Sequence, residues 1–426
     1  MNRLFASTAL VPLAALALAA VFFLRAPAPP DPVPPGPIPQ PPVVVTQVDL
    51  DDVKPFPRYL PQSLDWLAAA QFSNGGWGAG QHAQQGIDDP HAVQMDPATT
   101  AFAALALMRT GSTPDDGPYA ENVARALAYL LDLVEESSED GPRITTIDGT
   151  QPQAKLGRNI DAAMVAQFFA AILPALDGRL ERRTEAALDK CLRKIQRGQT
   201  ADGSWDDGGW APVLQSAMAN SALESAARAG RDVDEDVLRR SREYQAGNIQ
   251  VRGGRADPSA PAAEVDASAG AGVALYAASS SQRATAEEAR KAQDLIGGEG
   301  EVSVDGLRQA GQSQEEAERL YDAYRRNEAT TELLDDEGIW SGFGNNGGEE
   351  FLSYMMTSES LVIAGGPAWD RWHARLSNLF GSIQNDNGSW SGHHCITSPV
   401  FSTAAVVLAL TADRDRTLLA HEIQRG

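Results

Sequence analysis

"QTADGSW" occupies residues 199–205, and the same frame returns as "QFSNGGW" at 71–77 and "QNDNGSW" at 384–390. All three read Gln-x-x-x-Gly-[Gly/Ser]-Trp, and one spacing met three times marks a repeat. The chemistry of the frame is that of a joint. Glycine at its fifth position permits a positive φ and a tight reversal. The Gln amide ties down backbone groups left open at helix ends, and the Trp covers it with a large apolar face. Gln71, Trp77, Gln199, Trp205, Gln384 and Trp390 are therefore read as structural residues.

Two kinds of helix alternate between these turns. The first is amphipathic: Trp369, Trp372, Leu376, Leu379, Phe380 and Ile383 make one apolar stripe, and Val123, Leu127, Leu130, Leu131 and Val134 make another. Such helices bury one face and wet the other. The second kind is nearly uncharged and rich in small residues, as in "ATTAFAALAL" and "SPVFSTAAVVLAL". A helix small or apolar all round is buried all round. Six of these follow six of the amphipathic kind, beginning near residues 98, 160, 212, 266, 350 and 399. Stacked outer–inner hairpins with small-residue helices inside close most simply into a ring. The expected fold is all-α, an α6/α6 toroid over residues 53–415, with essentially no sheet and with a helical insertion at 284–332.

The Gln-x-x-x-Gly-Ser-Trp turn between an outer and an inner helix resembles the QW repeat of squalene–hopene cyclases and protein prenyltransferase β subunits. The likeness to this terpenoid cyclase and protein prenyltransferase superfamily covers about residues 56–412. Three turns are clear and three degraded: "DDEGIWSGFGNNGG" keeps Trp340, while those near 141–158 and 247–263 lack the Trp. The resemblance implies the toroid and a central cavity suited to apolar ligands. It brings no catalytic residue with it. Class II cyclases protonate from Asp-x-Asp-Asp, and the nearest string here, "DVDED" (232–236), opens an outer helix. Acidic residues there cap N–H groups and complement the helix dipole. The Asp-Asp-x-x-Asp of class I cyclases is not completed at the Asp pairs beginning at 51, 88, 115, 206 and 335. Prenyltransferases hold zinc with Asp-x-Cys and a distant His. "DKC" (189–191) imitates the pair, but Cys191 falls in line with Leu188, Leu192 and Ile195 on a buried stripe.

A hydrophobic fraction of 43% over 426 residues is ample for a core. A formal charge of -22 excludes nucleic acid as a partner, since its binders present basic surfaces to phosphate. Leu4 to Leu24 is an uncharged, mostly apolar stretch of 21 residues between Arg3 and Arg25, long enough to span a bilayer core. A cleavable signal peptide is the rival reading, with Ala17-Leu18-Ala19 as its cleavage site. The apolar run continues past that site, so residues 1–25 are read as an uncleaved signal-anchor, a single-pass transmembrane helix. Residues 26–52 form a Pro-rich spacer and 416–426 a tail. Arg3 and the amine outweigh Arg25, which places the domain outside the cytoplasm, in the periplasm if the source is bacterial.

Four of the six His residues fall in two loops. "GQHAQQGIDDPHAVQMDPATT" holds His82, His91 and Asp96, and "SGHHCITSP" holds His393, His394 and Cys395. Both lead from an outer into an inner helix, in the first and last repeats, which become neighbours when a ring closes. His, Cys and Asp are zinc ligands, and a catalytic site needs three of them. His82, His91, Asp96, His393, His394 and Cys395 are thus the candidate metal ligands. His394 and Cys395 are also the candidate catalytic pair, since His raises the thiolate fraction of a neighbouring Cys. Polar loops also carry His for solubility and helix capping. Two functions stay open: a membrane-anchored protein binding an apolar, peptide or glycan ligand at the ring mouth, or an enzyme with a metal or thiol site at the seam.

Overall fold

Proline opens three of the buried helices. Pro97, Pro212 and Pro399 sit at first helical positions, where the missing N–H costs nothing and the fixed φ suits the helix. The computed structural model describes residues 53–206, 208–252, 262–297, 300–336, 339 and 347–415. The expected anchor (1–25), spacer (26–52) and tail (416–426), and Trp340, lie outside these. Among the described residues no helix is long and apolar enough to cross a membrane.

The chain is mostly helical. Its elements are α1 (Leu60–Ala69), α2 (Pro97–Arg109), α3 (Ala120–Glu136), α4 (Gln151–Leu156), α5 (Ile160–Ile172), α6 (Gly178–Arg197) and α7 (Pro212–Arg228). There follow α8 (Glu235–Ala246), α9 (Ala274–Ile296), α10 (Val304–Gln309), α11 (Gln314–Leu333), α12 (Glu350–Ala364), α13 (Ala368–Ile383) and α14 (Pro399–Leu410). Six of them, α2, α5, α7, α9, α12 and α14, are buried along most of their surface, and in α14 every residue is. Each of the six packs on the next in chain order, and α14 packs on α2. The amphipathic helices lie against them: α1 on α14 and α2, α3 on α2, α6 on α5, α8 on α7 and α9, α11 on α9, α13 on α12 and α14.

The three QW turns are built alike. Trp77, Trp205 and Trp390 are fully buried. Each indole N–H donates to a carbonyl ten residues earlier, that of Leu67 (2.8 Å), Ile195 (2.8 Å) and Phe380 (3.0 Å). Each Trp backbone N–H donates to a hydroxyl of the following inner helix, on Thr100, Ser216 or Thr403. Gln71, Gln199 and Gln384 each donate to the glycine carbonyl four residues on.

Every turn leaving an outer helix is also gripped by the next outer helix. Arg125 of α3 donates to Gln71 Oε1 at 2.6 Å and Arg240 of α8 to Gln199 Oε1 at 2.8 Å. The turn after α3 has no Trp, and Lys194 of α6 holds it by the carbonyls of Ser138 (2.6 Å) and Gly141 (3.1 Å). Arg326 of α11 grips Ala246 O at 2.9 Å and Arg375 of α13 grips Leu334 O at 2.9 Å. The last turn, after α13, is held by α1 through Ser63 and Gln62.

Three features differ from expectation. The turn near 247–263 carries a small antiparallel pair, β1 (Ile249–Val251) with β2 (Ala263–Val265), in register Ile249↔Val265. Its inward side chains, Ile249 and Ala263, pack with Ala329 and Leu333 of α11 in a satellite cluster. The fourth inner helix starts at Ala274 rather than near 266, because Gly270, Ala271 and Gly272 intervene and Ala271 takes a left-handed φ of 55°. Residues 284–332 hold the second half of α9, then α10 and nearly all of α11.

The chain enters and leaves the fold at one place. Lys54 N–H donates to Asp413 Oδ2 at 2.7 Å, and Arg414 Nη2 donates back to Lys54 O at 2.7 Å.

Candidate metal centre

The loop from Trp390 to α14 is short, and Cys395 crosses it with a left-handed φ of 57°. That turn sets two successive side chains abreast, with His394 Nδ1 3.1 Å from Cys395 Sγ. The loop is pinned at both ends. Cys395 N–H donates to Gln85 Oε1 (3.1 Å), while Thr397 and Ser398 N–H converge on Gln151 Oε1 (2.7 and 3.1 Å). Ser398 then caps α14 by accepting from Phe401 N–H.

Against it lies the strand of chain entering α12. Gly348 N–H donates to Ile396 O at 2.8 Å, and a Cβ on Gly347 would sit 2.1 Å from His394 O, so only glycine admits this approach. The tight fit aims Glu349 inward, fully buried. Its Oε1 accepts from Lys155 Nζ (3.0 Å) and from the Tyr276 hydroxyl (3.2 Å). Its Oε2 is buried and has no hydrogen-bond partner among the described residues. One ligand atom each from Glu349, His394 and Cys395 lie within 4.8 Å of one another. Tetrahedral bonds of roughly 2.0–2.3 Å set ligands about 3.5 Å apart, so side-chain rotation of about 1 Å closes the set on an ion. Carboxylate, imidazole and thiol are a zinc-type donor set. Their residues fit the ion.

Burial, and after it the Glu349 carboxylate, push the Cys395 thiol up from its ordinary value. A thiolate nucleophile needs the opposite.

The two His-bearing loops do meet. Gly86 N–H donates to Thr397 Oγ1 at 2.9 Å, and the Gln85 side chain spans from Cys395 to His82, its amide nitrogen 3.0 Å from His82 Nδ1. His82 is thus one side chain away from the cluster, its ring 6.4 Å from that of Trp210. The other sequence candidates are placed differently. His91 rests edge-on to Phe72, with Nε2 3.2 Å from Ala69 O, on the far side of its loop at the first QW turn. Asp96 is fully buried as the N-cap of α2, and its oxygens accept from Thr99 N–H, Thr99 Oγ1 and Ala79 N–H. Those bonds would lower its pKa, but burial outweighs them and lifts it to about 6. His393 is exposed and does not join the three-residue group found among the described residues. Cys191 is buried, and both cysteines are free.

Glu349, Lys155 and Tyr276 were not singled out in the sequence. The available signal was a charged pair, Glu349-Glu350, opening a helix that is otherwise apolar and buried. Beside the cluster Trp210 is 66% exposed, its backbone N–H held by Lys155 O at 2.9 Å.

No family model matches the chain, and no curated protein matches it. Among solved structures, a Salmonella alpha-2-macroglobulin reacted with methylamine is similar over 67% of this chain, with 15% identity and a TM-score of 0.33. This chain spans 17% of that one's length.

Proposed function

We propose that the chain is a terpenoid-cyclase-like QW-repeat α/α toroid with a three-ligand zinc site, Glu349, His394 and Cys395, at its mouth, and that it acts on its ligand there as a metal-dependent enzyme. The observation that carries this reading is the buried Glu349 carboxylate, whose Oε2 lacks a partner beside an imidazole and a thiol. An isolated buried acceptor of that kind is costly, and a cation relieves it. Three protein ligands leave a fourth position open, the pattern of catalytic rather than structural zinc. Zinc bound there supplies Lewis-acid polarisation of whatever atom takes that position.

The chain's own residues prepare the site. Lys155 and Tyr276 fix one oxygen of Glu349 and so orient the other. Gln85 anchors the Cys395 backbone from the neighbouring loop. The exposed Trp210 beside His82 offers an apolar face on which an isoprenoid, peptide or glycan ligand can lie. The ligand types are those of the prenyltransferase pattern, drawn from positions other than Asp189 and Cys191. The closed circuit of six buried helices supports the toroid. The apolar stretch 4–24 supports a membrane-anchored, extracytoplasmic placement.

Metal analysis of the full-length protein, purified without chelators, is the direct test. One equivalent of zinc, lost in Glu349→Gln and in Cys395→Ser, is the expected result. A metal-free protein that takes up none on zinc titration overturns the proposal.

A further inference from the structure

Away from the mouth, near the C-terminal ends of α2 and α7, the six buried helices enclose charge. Arg109, Glu224, Arg283 and Glu359 have side chains only 4%, 1%, 1% and 5% exposed. Arg283 donates to Glu224 Oε2 (2.6 Å) and to Glu359 Oε2 (3.2 Å). Arg109 donates to Glu359 Oε1 (3.2 Å), to Asp415 and to Leu408 O. Arg242 takes Glu224 Oε1 at 2.9 Å, and Arg228 pairs with Glu287. All four carboxylate oxygens of Glu224 and Glu359 therefore already accept from a guanidinium.

Donors remain in excess. Arg109 Nε, Arg283 Nη2, and Arg228 Nε and Nη2 are buried without an acceptor among the described residues, as is the Ser221 hydroxyl. Arg109, Arg283, Ser221 and Gln167, with the carboxylates of Glu359 and Asp415, line a narrow, partly open cleft whose free space of about 10 Å³ is the room of one water-sized species. Each unanswered buried N–H costs on the order of 1–3 kcal/mol. A water molecule would accept from them but would bring two O–H donors of its own, and the free buried acceptors nearest along the chain to that lattice are Asn220 Oδ1 and Gln282 Oε1. A species that only accepts fits better.

We propose that this cleft binds one small inorganic monoanion of halide size, held by Arg283 and Arg109 with Arg228 beside them. Burial first, and the neighbouring Arg283 second, bring the Arg228 guanidinium down to about 10. The bound anion joins α2, α7 and α9 through their guanidinium groups and so stabilises this end of the helix circuit.

Thermal unfolding of the full-length protein in sodium chloride, against sodium gluconate at matched ionic strength, reads the site. The expected result is a saturable rise in unfolding temperature with chloride alone, its midpoint shifted at least tenfold in Arg228→Gln. Crystals soaked in bromide should show one anomalous peak between Arg109 and Arg283, a measurement that stands even where the variant fails to fold. Equal unfolding temperatures in the two salts, or density without anomalous signal at that place, overturn the proposal.

Discussion

The Gln384 amide donates to the Ser63 hydroxyl at 2.9 Å, linking two residues 321 apart. The contact stands at the last turn where Arg125 grips Gln71 and Arg240 grips Gln199, but with the direction reversed: there the Gln oxygen accepts from a guanidinium, here the Gln amide donates. Here a neutral hydroxyl replaces the guanidinium, so this seam is the weaker clasp. Gln384→Ala should cost about 1–2 kcal/mol by loss of its two hydrogen bonds, to Ser63 and to Gly388 O. Chemical denaturation of the variant measures it, and an unchanged midpoint would deny the contact any part in closing the circuit.

Trp205→Ala should destabilise by about 3–5 kcal/mol, because it empties a fully buried site and removes the indole hydrogen bond to the Ile195 carbonyl. Trp210→Ala is the control, since that ring is exposed, and its cost should stay within about 0.5 kcal/mol. Equal losses in the two variants would contradict the structural role of the turn.

Gly203→Ala tests the same joint from the backbone. Its φ is +89°, and an added Cβ would meet Arg240 O at 2.2 Å, a backbone atom that cannot rotate aside. A loss of about 2–4 kcal/mol is expected from strain and displacement together. The measurement is the urea midpoint relative to wild type.

Zinc affinity should separate the histidines. His394→Ala and Cys395→Ser each remove a ligand and should weaken binding at least tenfold. Lys155→Met, which frees Glu349 from its ion pair, should shift the affinity less. His91→Ala should leave it unchanged, since that ring packs on Phe72. Isothermal titration on the metal-stripped protein reads all four, and a loss at His91 would relocate the site.

Asp161 and Asp96 tie stability to pH. Burial raises Asp161 to about 7, with Asp96 adding to the effect, while Asp96 itself is raised to about 6. Both exceed the ordinary carboxylate value, so from about pH 4 to 7 the folded chain holds more protons than the unfolded one. Their contribution to stability is full below that window and is lost as pH rises through it. Asp161→Asn should therefore be the more stable protein at pH 8, by roughly 2 kcal/mol, with the gap closing towards pH 4. Comparison at each pH cancels other groups, such as the buried His373. A gap that widens on acidification would refute the assignment.

The repeat was legible because it is written in local chemistry. Five inner helices start within a residue of their expected positions, at Pro97, Ile160, Pro212, Glu350 and Pro399, since small-residue composition and Pro or capping signals coincide there. The hairpin at Ile249 was not foreseen, because three alternating residues per strand are too few to stand out in a helical chain. The meeting of the two His-bearing loops was expected from the first repeat lying beside the last, and α14 does pack on α2. The partner they found was not: Glu349 comes from the fifth repeat, and its inward aim depends on the Gly347–His394 backbone approach. Nor did spacing reveal the gripping residues Lys194, Arg326 and Arg375, which look in sequence like ordinary surface charge.

The reciprocal pair of bonds between Lys54 and residues 413–414 has an architectural consequence. The described fold begins and finishes at neighbouring points, so a short peptide bridge between them would leave every packed surface intact. New termini could then be opened in any exposed turn, yielding circular permutants, and the whole unit could be spliced into a surface loop of a host protein through a single paired junction.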